Sequence, residues 1–296
     1  MRLLGEIQQK EHLSQAAAHT FQEMLGVAVR MRDAQKERDA RVGLGIAVKE
    51  LGDPDTAIAL LREALALTDR HQFAMREWVV DHLADALNRS GLASAKRCEF
   101  EPALELFLEA VDLWRQSASR SNEGQSLMNV GNMQVALKRY ADAVIALQEA
   151  SKALTESGDR ETGDRLALTA AELLLSLDRL DEASAMFRAI VDQTNTYEEW
   201  ATRMIQIGEL AHKQLEHGAV ARALRVFEDC RRINEEKGYA PDAAACLLNI
   251  GSVLKATGDV AGARGCFENA LAILEREQHP MQAFAKELLE EVGKRG

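Results

Sequence analysis

The chain has 296 residues, of which 47% are hydrophobic and 28% charged, and its 47 acidic and 36 basic side chains leave a formal net charge of −11. That composition describes a folded body and excludes a disordered chain. The acidic balance argues against a surface that binds nucleic-acid phosphates. Four prolines in the whole chain leave room for long helices. No apolar run reaches the roughly 18 residues a membrane span requires, and Met1-Arg2-Leu3-Leu4-Gly5-Glu6 turns polar too soon for a signal peptide. The expected address is the cytoplasm. Cys98, Cys230, Cys246 and Cys266 lack a C-x-x-C pair and read as free thiols packed like small hydrophobes.

The first expected unit, residues 1–37, has no leading cap, because Met1 already falls inside its first helix. It introduces a pattern that then recurs: alanine, a bulky apolar residue four later, and a small or apolar residue three after that. The instances are Ala17/Phe21/Met24, Ala57/Leu61/Ala64, Ala103/Phe107/Ala110, Ala143/Leu147/Ala150, Ala183/Phe187/Ile190, Ala223/Phe227/Cys230 and Ala263/Phe267/Ala270. Successive alanines are 40, 46, 40, 40, 40 and 40 residues apart, and five of the eight phenylalanines fall on this register. Twelve residues before each alanine stands another small residue: Gly5, Gly45, Gly91, Gly131, Ala171, Ala211 and Gly251. Turn signals such as Leu51-Gly52-Asp53 and Thr257-Gly258-Asp259 lie between the two. Each unit therefore reads as helix, tight turn, helix. Small residues let the paired backbones approach, while the bulky one fills the next gap. Burying one Phe such as Phe187 contributes about 1.5–3 kcal/mol.

The further units are expected at 38–83, 84–123, 124–163, 164–203, 204–243 and 244–279, as one array over 1–296. The interval of 46 puts six extra residues between Ala57 and Ala103, either in the linker near Thr68–Phe73 or in the turn after Gly91. His279-Pro280 ends the last unit, and an amphipathic helix over 281–293 is expected to cap it with Phe284, Leu288 and Leu289 facing inward.

The segments Leu247-Leu248-Asn249-Ile250-Gly251, Thr257-Gly258-Asp259, Ala263 and Phe267-Glu268-Asn269-Ala270-Leu271 resemble a tetratricopeptide repeat, as does Leu127 through Gly131 with Tyr140, Ala143 and Ala150. The first-helix Trp and Tyr of that family are mostly replaced by Leu, Val or Gln, and the period of about 40 exceeds the common 34. Long units of this kind resemble those of spindle-orientation adaptors, kinesin light chains and the sensor arms of bacterial transcriptional activators. The resemblance implies an all-α, right-handed superhelical solenoid of about seven helix-turn-helix units plus the C-terminal capping helix.

It also implies a ligand-binding concave wall at the second, fifth, ninth and twelfth positions of each unit. Carried onto this chain, the wall comprises Asp85, Asn88, Gln125, Met128, Asn132, Arg165, Leu168, Glu172, Leu175, His212, Leu215 and Lys255. Asp39, Val42, Ile46, Lys49, Ile205, Gly208, Ala245 and Leu248 hold equivalent positions. No fifth position is lysine, so the clamp that holds a chain-end carboxylate is not expected. A wall of aliphatics with scattered amides suits an amphipathic helix or an extended peptide, with Met128, Leu168 and Leu175 as anchors. Trp78, Trp114 and Trp200 share no unit position and read as packing residues.

No phosphate loop, no H-E-x-x-H and no nucleophile elbow is present. Glu11-His12 and His19 lack a third ligand, and His212 and His217 straddle a turn; all read as surface groups. No catalytic residue, metal or cofactor is expected. The expected function is a protein- or peptide-binding scaffold or adaptor. Its alternatives are a regulatory sensor arm of a larger signalling or transcription protein, and a structural protein that self-assembles through an uncovered first unit.

Overall fold

The computed structural model describes residues 4–6 and 13–293; Glu11 and His12 lie outside the described residues. Every regular element among the described residues is a helix. Residues 4–6 are helical, and fourteen longer helices follow: α1 (Ser14–Met31), α2 (Ala34–Glu50), α3 (Pro54–His71), α4 (Arg76–Lys96), α5 (Phe100–Gln116), α6 (Arg120–Ala136), α7 (Tyr140–Glu156), α8 (Arg160–Ser176), α9 (Leu180–Asp192), α10 (Tyr197–Glu216), α11 (Val220–Lys237), α12 (Ala240–Ala256), α13 (Val260–Arg276) and α14 (Gln282–Gly293). None of them is long and apolar enough to cross a membrane. First helices begin at Ala34, Arg76, Arg120, Arg160, Tyr197 and Ala240, ahead of the unit starts read from the small residues. Their opening turns carry no register residue.

The recurring residues form the hairpin cores. Ala17, Ala57, Ala103, Ala143, Ala183, Ala223 and Ala263 are all fully buried, and each bulky partner from Phe21 to Phe267 is at most 2% exposed. Close approach explains the upstream glycines. A Cβ on Gly131 would lie 2.7 Å from Leu147, one on Gly91 2.7 Å from Phe107 and one on Gly251 2.5 Å from Phe267. In each case the residue sixteen positions on occupies the space a side chain would need.

The turns keep the same register. Five residues before each alanine from Ala57 onward the backbone is left-handed, at Gly52, Cys98, Lys138, Asp178, Gly218 and Gly258. Fifteen residues after the alanine it is left-handed again, at Arg32, Gln72, Ala118, Gly158, Gly238 and Gln278. Carboxylates restart several helices by accepting a free backbone N–H: Asp33 from Lys36 at 3.0 Å, Asp53 from Thr56 at 3.1 Å and Asp259 from Gly262 at 2.9 Å.

This register locates the insertion. The left-handed residue is in place at Gln72 and Gly91 keeps its spacing to Ala103, so the six extra residues fall between them. They form the loop at Phe73–Met75 and lengthen α4 to 21 residues, where α6 has 17. The linker reading holds in place of the turn after Gly91. Phe73 stacks on His71 at 5.2 Å and lies under the guanidinium of Arg38 at 5.5 Å, which helps keep that cation in a buried position.

The chain divides into two compact units, 1–166 and 167–296. In the first, one core cluster gathers Phe21, Ala40 and Leu44, and a larger one runs from Val42 through Leu61 and Leu83 to Trp114. In the second, Phe267, Leu274, Ala285, Leu288 and Val292 close the chain under α14. Phe284 is 49% exposed, so that helix seats itself through Ala285, Leu288 and Val292, with Leu289 packed alongside.

Candidate functional site

In the first unit the predicted wall residues lie on α2, α4, α6 and α8, and Lys49, Asp85 and Asn88 are tied to neighbouring helices. Asp85 Oδ2 receives Lys49 Nζ at 2.5 Å and Arg89 Nε at 3.3 Å, and Lys49 is only 4% exposed. Asn88 donates from Nδ2 to Ser126 Oγ at 2.7 Å. His82, beside this cluster, meets Trp78 edge-on at 4.8 Å. Burial, reinforced by the Lys49 charge, lowers its pKa to about 4. Gln125, Asn132 and Arg165 are exposed and Met128 is half-buried.

In the second unit, Glu172 pairs with Lys213 at 2.5 Å, Lys255 pairs with Glu291, and Leu168 and Leu215 are half-buried. Leu175 is 1% exposed and is no anchor on the wall. One helical turn after the fully buried Ala171, and next to Leu174, it belongs to the packed stripe of α8. His212 is exposed, with its ring edge-on to Phe227 at 5.1 Å.

Three of the equivalent wall positions, Ile205, Gly208 and Ala245, come together with His212 around one groove of about 300 Å³. Its first wall is the α10 face carrying Met204, Ile205, Gly208, Glu209 and His212. Its second is the α12 face carrying Asp242, Ala245, Cys246 and Asn249. Its floor is Phe227, Cys230 and Asn234 of α11. Each set has helical spacing, so each is one face of its helix. A Cβ on Gly208 would meet no atom within 4 Å, and Ile205 is 63% exposed. The fifth position therefore adds no side chain to the groove. Tyr197 donates its hydroxyl to Asp242 Oδ2 at 3.1 Å, and Tyr197, Trp200 and Tyr239 pack together beside it, with Trp200 and Tyr239 centroids 4.1 Å apart.

Sequence reasoning did not reach Glu209, Asn234, Asp242, Cys246 and Asn249. A glycine at the fifth position was the signal that could have drawn attention to this hairpin. A larger groove of about 410 Å³ in the first unit lies between α5 and α7, where Leu108 and Ile145 are exposed. Its rim cation Arg115 is already engaged by Glu123 and Glu149, each at 2.8 Å, and it holds none of the predicted wall residues.

Residues 243–277, which span most of α12 and all of α13, match the family profile described as a tetratricopeptide repeat. The chain carries a tetratricopeptide repeat. This matched hairpin supplies the α12 wall of the groove, and its small residues and turns stand at the same register positions as those of the preceding hairpins. A search of curated proteins gives no match. Among solved structures the fold is similar to the apo form of RapI, at 13% identity and a TM-score of 0.46, over 94% of this chain and 74% of that one. It is also similar to the C-terminal part of a tetratricopeptide-repeat-containing protein from Cytophaga hutchinsonii, at 12% identity and 0.44, covering 98% and 99%. A signal transduction ATPase with a tetratricopeptide-repeat sensor from Pyrococcus horikoshii matches at 16% identity and 0.41 over 98% of this chain, which spans 43% of that protein.

Proposed function

We propose that the chain is a protein-binding repeat scaffold and that the groove between α10 and α12 receives a peptide segment of its partner. The observation that carries this reading is Gly208. A helix-interior glycine costs about 0.5–1 kcal/mol relative to alanine, and here open space would accept a Cβ without any clash. Packing does not require the glycine, whereas an incoming side chain does. Ile205, Met204 and Ala245 offer apolar contact, while Glu209 and Asp242 give the rim a negative charge. The segment that fits has an apolar side chain opposite Gly208, flanked by a lysine or arginine.

The test is selection from a random-peptide display library on the full chain, followed by affinity measurement on the Gly208→Leu variant. The expected result is enrichment of basic-apolar peptides whose affinity for the variant falls at least about tenfold, a loss of about 1.4 kcal/mol. Selected peptides that bind the variant as tightly as the unaltered chain would overturn the reading.

A further inference from the structure

The groove contains two thiols, one in its floor and one in its second wall, that capture of a peptide does not require. Cys230 of α11 and Cys246 of α12 both line it. Asn234, one turn beyond Cys230 and 2% exposed, donates from Nδ2 to Cys246 Sγ at 3.5 Å, while its Oδ1 is buried without a hydrogen-bond partner. The equivalent places at other hairpin junctions hold Met24 and Ala40, Ala110 and Ser126, or Ala150 and Leu166. Two cysteines therefore line one groove at a junction where these three others hold small or apolar residues. The neighbouring Cys246 side chain, together with burial, holds the Cys230 thiol well above the usual thiol range.

We propose that Cys230 and Cys246 form a reversible dithiol–disulfide pair, oxidised by hydrogen peroxide, that closes the groove to its peptide. Cys246 is the half-buried member and opens on the groove, whereas Cys230 is 2% exposed. The Cys246 sulfur, having released its proton, attacks one peroxide oxygen. The O–O bond breaks, hydroxide leaves and takes up that proton as water, and Cys246 becomes a sulfenic acid. The Cys230 sulfur then attacks the Cys246 sulfur, the S–O bond breaks, and hydroxide leaves with the Cys230 proton as a second water. Two thiols have lost two electrons and two protons, and one peroxide has become two waters.

The new bond holds the sulfurs about 2.05 Å apart in place of a non-bonded contact. It draws α12 toward α11 and carries Ala245, Cys246 and Asn249 onto the floor. This regulation rests on the groove being the peptide site.

The experiment treats the full chain with hydrogen peroxide, digests it without reductant and analyses it by mass spectrometry. A Cys230–Cys246 linked peptide, two hydrogens lighter than its separate parts and cleaved by dithiothreitol, is expected. Affinity for a display-selected peptide should fall at least about tenfold on oxidation and return on reduction. Cys246→Ser should abolish both the link and the change in peptide affinity on peroxide treatment, each read against the untreated variant. Oxidation of the exposed Cys98 with no Cys230–Cys246 link would overturn the pair. A link that leaves peptide affinity unchanged would overturn closure. The linked mass reads the pair without any peptide, and Gly208→Leu reads the groove without any oxidant, so the two proposals fail separately.

Discussion

The faces of α4 in the first unit and α10 in the second hold the same place in the repeat and come out differently. On α4, Asp85 and Asn88 are consumed by Lys49 and Ser126, and what remains is a sealed polar seam. On α10, Gly208 leaves a gap, Ile205 projects from it, and the space persists as a groove. The repeat thus prescribes where a wall lies and not whether it is open. Opening depends on side-chain volume at the fifth position and on whether the neighbouring first helix offers a partner for the polar groups.

The sharpest way to break the comparison is to place the same side chain at two glycines. Gly131→Leu, with its Cβ 2.7 Å from Leu147, should lower stability by about 3 kcal/mol in a denaturant titration, because a packed hairpin resists added volume. Gly208→Leu should change stability little and act on peptide affinity instead. Equal destabilisation by both would mean that the groove is packed space.

Acid should weaken the sealed seam next. Free imidazole titrates near pH 6.5, whereas His82 titrates at about 4 in the folded chain. Above the unfolded value both states are neutral. As pH falls below it, the unfolded chain takes up a proton that the folded chain refuses, so stability is lost between about pH 6.5 and 4. The loss attributable to His82 should be roughly 1–3 kcal/mol, and His82→Gln should flatten it in denaturation midpoints followed against pH. A variant as acid-sensitive as the unaltered chain would remove His82 from the seam. The smallest effect sharpens the contrast: Gly208→Ala should raise stability by about 0.5–1 kcal/mol, since helix propensity improves and nothing clashes. A drop in melting temperature would show that the site tolerates no Cβ.

The hairpin cores were legible because their cause is local. Small residues at a constant interval permit close approach, and the burial of Ala17 through Ala263 follows from that spacing alone. The insertion was only half legible, since spacing allowed either a linker or the turn after Gly91, and the left-handed residue at Gln72 chose between them. The candidate site was legible as a set of positions and not as a surface. Leu175 shares its position in the unit with Lys255, yet it is buried beside Ala171, while Lys255 reaches Glu291.

What the order of residues determined by itself is the helical hairpin and its repetition, because both depend on contacts within one period of the chain. What only tertiary structure decided is which residues meet across neighbouring hairpins: Lys49 with Asp85 and Asn88 with Ser126. Those meetings depend on how adjacent helices are set against one another. That geometry is the sum of many packing contacts, and no single motif carries it.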